Sequence, residues 1–264
     1  MKRYRTAMHA VTALWKREML KFVRDRSRIV GALGQPLLFW LLLGFGFQGV
    51  FQMPGTGPPA GYLTFLFPGV IALVILFTAL FSTISIVDER RQGFLQAALV
   101  APVPRLALVF GTTLGGTTLA LVQVLLFLTL LPVAGLHPSP GGLLLLAVAC
   151  VLIGLAFTAL GVLIAWRTDT TRGFHAVMNL VLLPMWLLSG AVFPVTGVPG
   201  VLRWIMVFNP VTYGVAALRH ALYRPAPAPD VLVSPPVAFG LCLVFALAML
   251  LLAARTVRRP LFAC

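Results

Sequence analysis

Polar residues in this chain come in short blocks, and between the blocks lie six runs of apolar residues. The runs cover 29–51, 62–87, 106–131, 143–166, 174–193 and 236–254. Each is close to the roughly 20 residues that a helix rising 1.5 Å per residue needs to cross about 30 Å of hydrocarbon. No water inside a bilayer satisfies backbone N–H and C=O groups, so each run is predicted to be a transmembrane helix. The fifth run, among the shorter ones, carries Pro184. The predicted fold class is an all-α polytopic membrane protein. It forms one domain over 1–264, with an amphipathic segment at 1–28, a six-span bundle at 29–254 and a tail at 255–264.

Two segments outside the spans have a helical pattern of their own. Leu14, Trp15, Met19, Phe22 and Val23 recur at helical spacing, and Lys16, Arg17, Lys21 and Arg24 fall largely between them. This predicts an amphipathic helix lying in the membrane interface. A basic retention signal with no fixed geometry is the alternative. The segment 194–235 is too long for a turn and too apolar for a solvated loop. Val211, Val215, Leu218 and Leu222 share one helix face, with Arg219 and His220 off it. Asn209-Pro210 breaks the chain before that helix, and an apolar piece, 198–208, precedes the break. Two short helices dipping into the outer leaflet are expected. The run Pro225-Ala226-Pro227-Ala228-Pro229 follows as a stiff linker to span six.

Charge turns the span count into an oriented picture. The 264 residues are 60% hydrophobic and 10% charged, with a formal net charge of +14 and a mean hydropathy of +1.00. A soluble domain carries about 25% charged residues. Seventeen of the 20 lysines and arginines fall in the N-terminal segment, the loops after spans two and four, and the tail. Arg203, Arg219 and Arg224 are the three on the other side. Basic residues mark the cytoplasmic side, so both termini and those two loops are expected there. An even number of spans is then required. The charge is explained by topology and calls for no nucleic-acid partner.

The inventory of reactive groups excludes several functions. The six acids, Glu18, Asp25, Asp88, Glu89, Asp169 and Asp230, lie at span ends or in connections. Ion-coupled carriers and channels with charged filters need ionisable groups at membrane depth. The lysines are Lys2, Lys16 and Lys21, and none follows a phosphate-binding glycine loop. If ATP drives this protein, another chain binds it. Ser189 and His175 are 14 residues apart on one predicted helix, about 21 Å, and cannot form a dyad. No H-E-x-x-H spacing offers a metal site, and no catalytic residue is assigned. Cys150 and Cys242 read as small hydrophobes in apolar runs. Gly111 and Gly115 make a G-x-x-x-G in span three, which serves packing within the chain or between chains. The other polar residues expected mid-span are Thr112, Thr113, Thr117, Thr118, Gln123 and Asn179.

The loop 88–105 is the most informative one on the basic side. Asp88 and Glu89 come first, then Arg90, Arg91 and Gly93, and Pro102 and Pro104 close it. Phe94, Leu95, Ala98 and Leu99 form an apolar strip. This predicts a short amphipathic helix with its acids at the N-terminus. Such a helix suits a groove in a soluble partner. An ordinary interfacial connector is the alternative.

Pro184 to Pro194, with its Ser189-Gly190 and Phe193-Pro194, is followed by Asn209-Pro210-Val211-Thr212-Tyr213 and then Ala217-Leu218-Arg219. This series resembles the ABC-2 type exporter permeases. So does Glu89-Arg90 with Gly93, Pro102, Arg105 and Gly111 in order. The resemblance implies the membrane subunit of an ATP-driven exporter, moving a lipid-like, glycan or drug-like amphiphile outward by alternating access. It implies a dimer with a second copy or paralogue in a bacterial inner (plasma) membrane, among membrane lipids. Separate ABC ATPase subunits would bind ATP and Mg, leaving this chain without a cofactor and without enzymatic activity. By matched position Glu89, Arg90, Arg91 and Gly93 would couple to the ATPase. Asn209, Pro210, Tyr213 and Arg219 would form an exit gate. Structural roles are the other reading: backbone shaping by Gly93 and Pro210, interfacial anchoring by Tyr213, and retention of the outer helix near headgroups by Arg219. The connection 52–61 is too short for a large external domain. The competing reading of the whole chain is a membrane scaffold or assembly factor that needs no ATPase.

Overall fold

A computed structural model describes residues 2–24, 26–47, 61–91, 105–196 and 198–258. Helix α1 runs Lys2–Arg24 and α2 runs Arg26–Gly46. Then come α3 (Tyr62–Ser82), α4 (Ile84–Arg91), α5 (Arg105–Leu128), α6 (Pro140–Arg167) and α7 (Thr171–Trp186). A π-helical turn, Leu187–Ala191, ends α7. Helices α8 (Gly200–Phe208), α9 (Pro210–Leu222) and α10 (Pro235–Arg258) complete the described chain.

Among the described residues, five helical stretches are long and apolar enough to cross a membrane, and they match predicted spans two to six. The predicted first span corresponds to α2, whose apolar part within the described residues is Gly34–Gly46. The pair α8 and α9 bends by 84° at Asn209, so the two short helices expected there are present as separate pieces.

Helix α3 is the central post. Its apolar stretch, continued through α4, is 89% buried, against 22% for α10. Phe67 of α3 stacks on Phe127 of α5 at 5.0 Å and meets Trp40 of α2 edge-on at 5.4 Å. The Trp40 indole N–H donates to the Leu63 carbonyl at 3.0 Å. Lipid tails are as apolar as leucine, so such helices are held by close packing and by satisfied polar groups. Small residues supply the closeness. A Cβ on Gly154 of α6 would lie 2.9 Å from the Thr117 side chain of α5.

Helix α1 docks along α5 through the G-x-x-x-G stripe. A Cβ on Gly111 would lie 2.7 Å from the Leu14 Cβ, and one on Gly115 would lie 3.1 Å from the Glu18 Cβ. Trp15 adds a hydrogen bond to Thr118 at 3.1 Å. These glycines therefore serve packing within the chain.

The loop 88–105 differs from expectation. Asp88 to Arg91 form the last turn of α4, which continues α3 after a one-residue break at Thr83. Its acids thus lie in the last described turn of a helix that began at Ile84, and do not begin one. A helix dipole contributes about 0.3–1 kcal/mol to a nearby surface charge. Direct partners on α1 and α7, described next, outweigh that. The apolar strip of Phe94, Leu95, Ala98 and Leu99 lies outside the described residues, as does Gly93.

Candidate functional site

Two clusters of polar contacts stand at opposite ends of the bundle. The first is at the basic end, where α4, α6 and α7 meet α1. The Glu89 carboxylate accepts from the Arg17 guanidinium and from Lys21 Nζ, the latter at 2.7 Å. Lys21 also lies 3.7 Å from Glu18. Arg90 points the other way. Its Nη2 donates to the Ala165 carbonyl at 2.6 Å, in the last turn of α6, and its Nη1 donates to Asp169 at 3.3 Å. The guanidinium carbon sits 5.8 Å from the Trp166 ring centroid. The Asp88 carboxylate accepts from the Thr171 hydroxyl at 3.1 Å, in the first turn of α7. Arg91 is exposed. Adjacent residues of one helical turn thus fasten α4 to α1, α6 and α7. Exposed ion pairs are worth about 0–1 kcal/mol each, so the firmest of these fastenings is Arg90, which also reaches the Ala165 carbonyl and the Trp166 ring.

The second cluster holds the far end together. The π-turn leaves the helical path at Leu188 and Gly190, where Gly190 has φ of +78°. Only glycine adopts that conformation without cost. A Cβ on Gly69 of α3 would come within 2.7 Å of Ala191, so the turn packs directly on the central post. The Trp186 indole N–H donates to the Gly69 carbonyl at 2.7 Å. The departure from helical geometry turns carbonyls inward, and Asn209 meets two of them. Its Nδ2 donates to Met185 O at 2.5 Å and to Leu188 O at 2.9 Å. Its Oδ1 accepts from the Val211 N–H at 3.0 Å and so caps α9. Pro210 occupies the first turn of α9, where its missing N–H costs nothing. The Tyr213 hydroxyl donates to Val207 O of α8 and spans the 84° bend.

Arg219 is 1% exposed and turns into the bundle, rather than toward headgroups. Its Nη2 donates to Gly190 O at 2.7 Å, and its Nη1 donates to Asp230 O at 2.7 Å. Nη1 also lies 3.5 Å from Asp230 Oδ2, and the guanidinium carbon sits 4.2 Å from the Phe65 ring centroid. The Asp230 carboxylate accepts from Val195 N at 2.6 Å, Thr196 N at 2.9 Å and the Thr196 hydroxyl at 2.6 Å. A charge removed from water needs this density of partners. The Arg219–Asp230 pair ties the π-turn, the segment before α8, α9 and the approach to α10 into one unit.

Sequence reasoning missed Asp230, Arg17, Lys21 and Asp169 as members of these clusters. The scarcity of acids was the usable signal, since an arginine within an apolar helix needs one of only six. Among the mid-span polar residues, Thr117, Thr118 and Thr158 hydroxyls donate to their own helices at Thr113 O, Leu114 O and Gly154 O. Thr78 and Gln123 bond each other across α3 and α5. Ser189 donates to Trp186 O, while His175 packs on Phe81 at 5.3 Å, so the two do not meet.

The chain is similar to known transport proteins over most of its length. It is 29% identical over 221 residues to Nodulation protein J of Rhizobium leguminosarum bv. viciae, covering 80% of this chain and 81% of that protein. It is 27% identical over 209 residues to the transport permease ycf38 of Cyanophora paradoxa, covering 78% and 71% respectively. A shorter likeness, 28% over 157 residues, is to the multidrug ABC transporter permease YbhR of Escherichia coli K12, covering 59% and 43%. The profile of the family described as ABC-2 type transporter matches residues 9–223, which take in most of α1, the basic-end cluster, the bend at Asn209 and Arg219, and stop short of Asp230. The chain therefore belongs to the ABC-2 type transporter family and is a multi-pass transport permease rather than a catalytic subunit.

Proposed function

We propose that this chain is the membrane half of an ATP-driven exporter. It works as a dimer with a second copy or paralogue and moves an amphiphile outward by alternating access. A separate ABC ATPase subunit binds ATP and Mg. It docks at the basic end, on the loop 92–104 and the exposed Arg91 at its stem. In this reading that end and both termini face the cytoplasm of a bacterium whose inner membrane holds the chain, and the excess of basic residues there supports the orientation.

The observation that carries the reading is the triple fastening of α4. Glu89 holds α1, Arg90 holds the end of α6, and Asp88 holds the start of α7. Force applied to the loop that follows reaches α3, α6 and α7 without slack. At the far end, Asn209 and Arg219 clasp the π-turn of α7. A shift of α7 relative to α9 breaks these bonds first, which makes them the gate's closed-state fastening. Tyr213 and Pro210 keep α8 and α9 together as the gate moves.

The test is affinity purification of the tagged chain from its native membranes in mild detergent. A P-loop ATPase co-purifies in stoichiometric amount, and the Glu89→Ala, Arg91→Ala double variant loses it while keeping its monodisperse elution. A stable, monodisperse complex lacking any ATPase refutes the exporter and leaves a scaffold.

A further inference from the structure

Beside the far-end cluster, and separate from it, a cleft of about 700 Å³ opens between the ends of α6, α9 and α10. Helices α6 and α10 are each long and apolar enough to cross a membrane, and both begin here, at Pro140 and Pro235. The cleft is therefore at the boundary where hydrocarbon gives way to headgroups. Its lining combines apolar Leu145, Val231 and Leu232 with Arg224 and His220.

The electrostatics of the cleft are one-sided. Arg224 is exposed, and no ion pair engages it among the described residues. Its Nε lies 3.9 Å from the Cβ position of Gly141 in the first turn of α6. That turn carries no acid. A helix N-terminus is equivalent to roughly half a positive charge, so a guanidinium beside it raises the potential instead of cancelling it. The His220 ring donates its Nε2–H to Val233 O at 2.8 Å, which ties the lining to the approach to α10. Asp230, next in sequence to the lining residue Val231, has its carboxylate committed to Val195, Thr196 and Arg219. Among the described residues, no Asp or Glu lines the cleft.

We infer that this cleft binds the phosphodiester headgroup of an anionic amphiphile, with Arg224 as the recognising cation and the apolar lining residues against the first carbons of its chain. Arginine suits the task because its planar fork matches a phosphate with two parallel N–H donors. The inference needs the membrane spans only and does not rest on the exporter reading.

Native mass spectrometry of the full chain, released from detergent, tests it with phosphatidylglycerol, phosphatidylcholine and inorganic phosphate as probes. Wild type retains phosphatidylglycerol at least about tenfold more tightly than phosphatidylcholine. Arg224→Gln removes that preference. Ala226→Glu, which sets a carboxylate in the exposed lining without deleting a contact, removes it too. Arg203→Gln, on α8 away from the cleft, leaves it intact and controls for general loss of positive charge. Equal retention of phosphatidylglycerol by wild type and Arg224→Gln overturns the site. Retention of inorganic phosphate with no preference for phosphatidylglycerol overturns the amphiphile. Circular dichroism and elution volume confirm that each variant is folded.

Discussion

Asn209→Asp is the substitution that most sharply separates two accounts of the far end. If Asn209 is only a helix cap, aspartate replaces it without loss, because Asn and Asp cap equally well and alanine costs about 1 kcal/mol. The geometry says otherwise. One oxygen accepts from Val211 N at 3.0 Å, but the nitrogen donates to Met185 O at 2.5 Å and Leu188 O at 2.9 Å. Alanine loses the cap and both donated bonds, at roughly 1 kcal/mol each, for a total of about 3 kcal/mol. Aspartate keeps the cap but turns an anionic oxygen onto two carbonyl oxygens at a site 6% exposed. It loses the same two bonds and adds repulsion or the cost of protonation, so its penalty exceeds that of alanine, at about 4 kcal/mol or more. Equilibrium unfolding of the purified chain by SDS titration in mixed micelles reads these differences. The expected order of stability is wild type, then Ala, then Asp. An Asp variant as stable as wild type, with Ala about 1 kcal/mol below, refutes the clasp and reduces Asn209 to a cap.

Three further outcomes follow from the contacts. Asp230→Asn and Arg219→Met each destabilise the chain by about 3–5 kcal/mol, because each leaves the other charge buried without its partner. The double variant costs clearly less than the sum in the same titration, and strict additivity would show that the two side chains act independently. Gly111→Leu drives a side chain into Leu14, whose Cβ lies 2.7 Å from the new Cβ. It lifts α1 from α5 and speeds tryptic cleavage at Lys16 and Lys21 several-fold, whereas an unchanged cleavage rate would mean that α1 is not held by the glycine stripe. A reporter fused after His137 gives an external signal and one fused after Arg167 a cytoplasmic one. Cytoplasmic signal at His137 would break the six-span topology.

Much of the fold was legible because the bilayer imposes it. Runs of 19–26 apolar residues have one acceptable backbone conformation in hydrocarbon, so the spans could be placed from hydropathy alone. Asn209-Pro210 announced the bend for an equally local reason. The amide side chain caps the helix that follows, and proline cannot continue the one before it. The acids of 88–91 misled, because their pattern fits a helix start as well as a helix end. Only partners distant in sequence, Arg17, Lys21 and Thr171, decide between the two.

Sequence by itself thus determined which segments are apolar enough to span the membrane and where the chain must break. Each of these depends on the transfer of a local stretch between water and hydrocarbon. The tertiary structure alone decided what the few polar residues inside do. Arg219 and Asp230 are eleven positions apart, with a proline run between them, and Gly190 is 29 positions from Arg219. No local periodicity records that these groups meet. Their pairing follows from the need to satisfy every charge and carbonyl withdrawn from water, a condition met only when all the helices are in place.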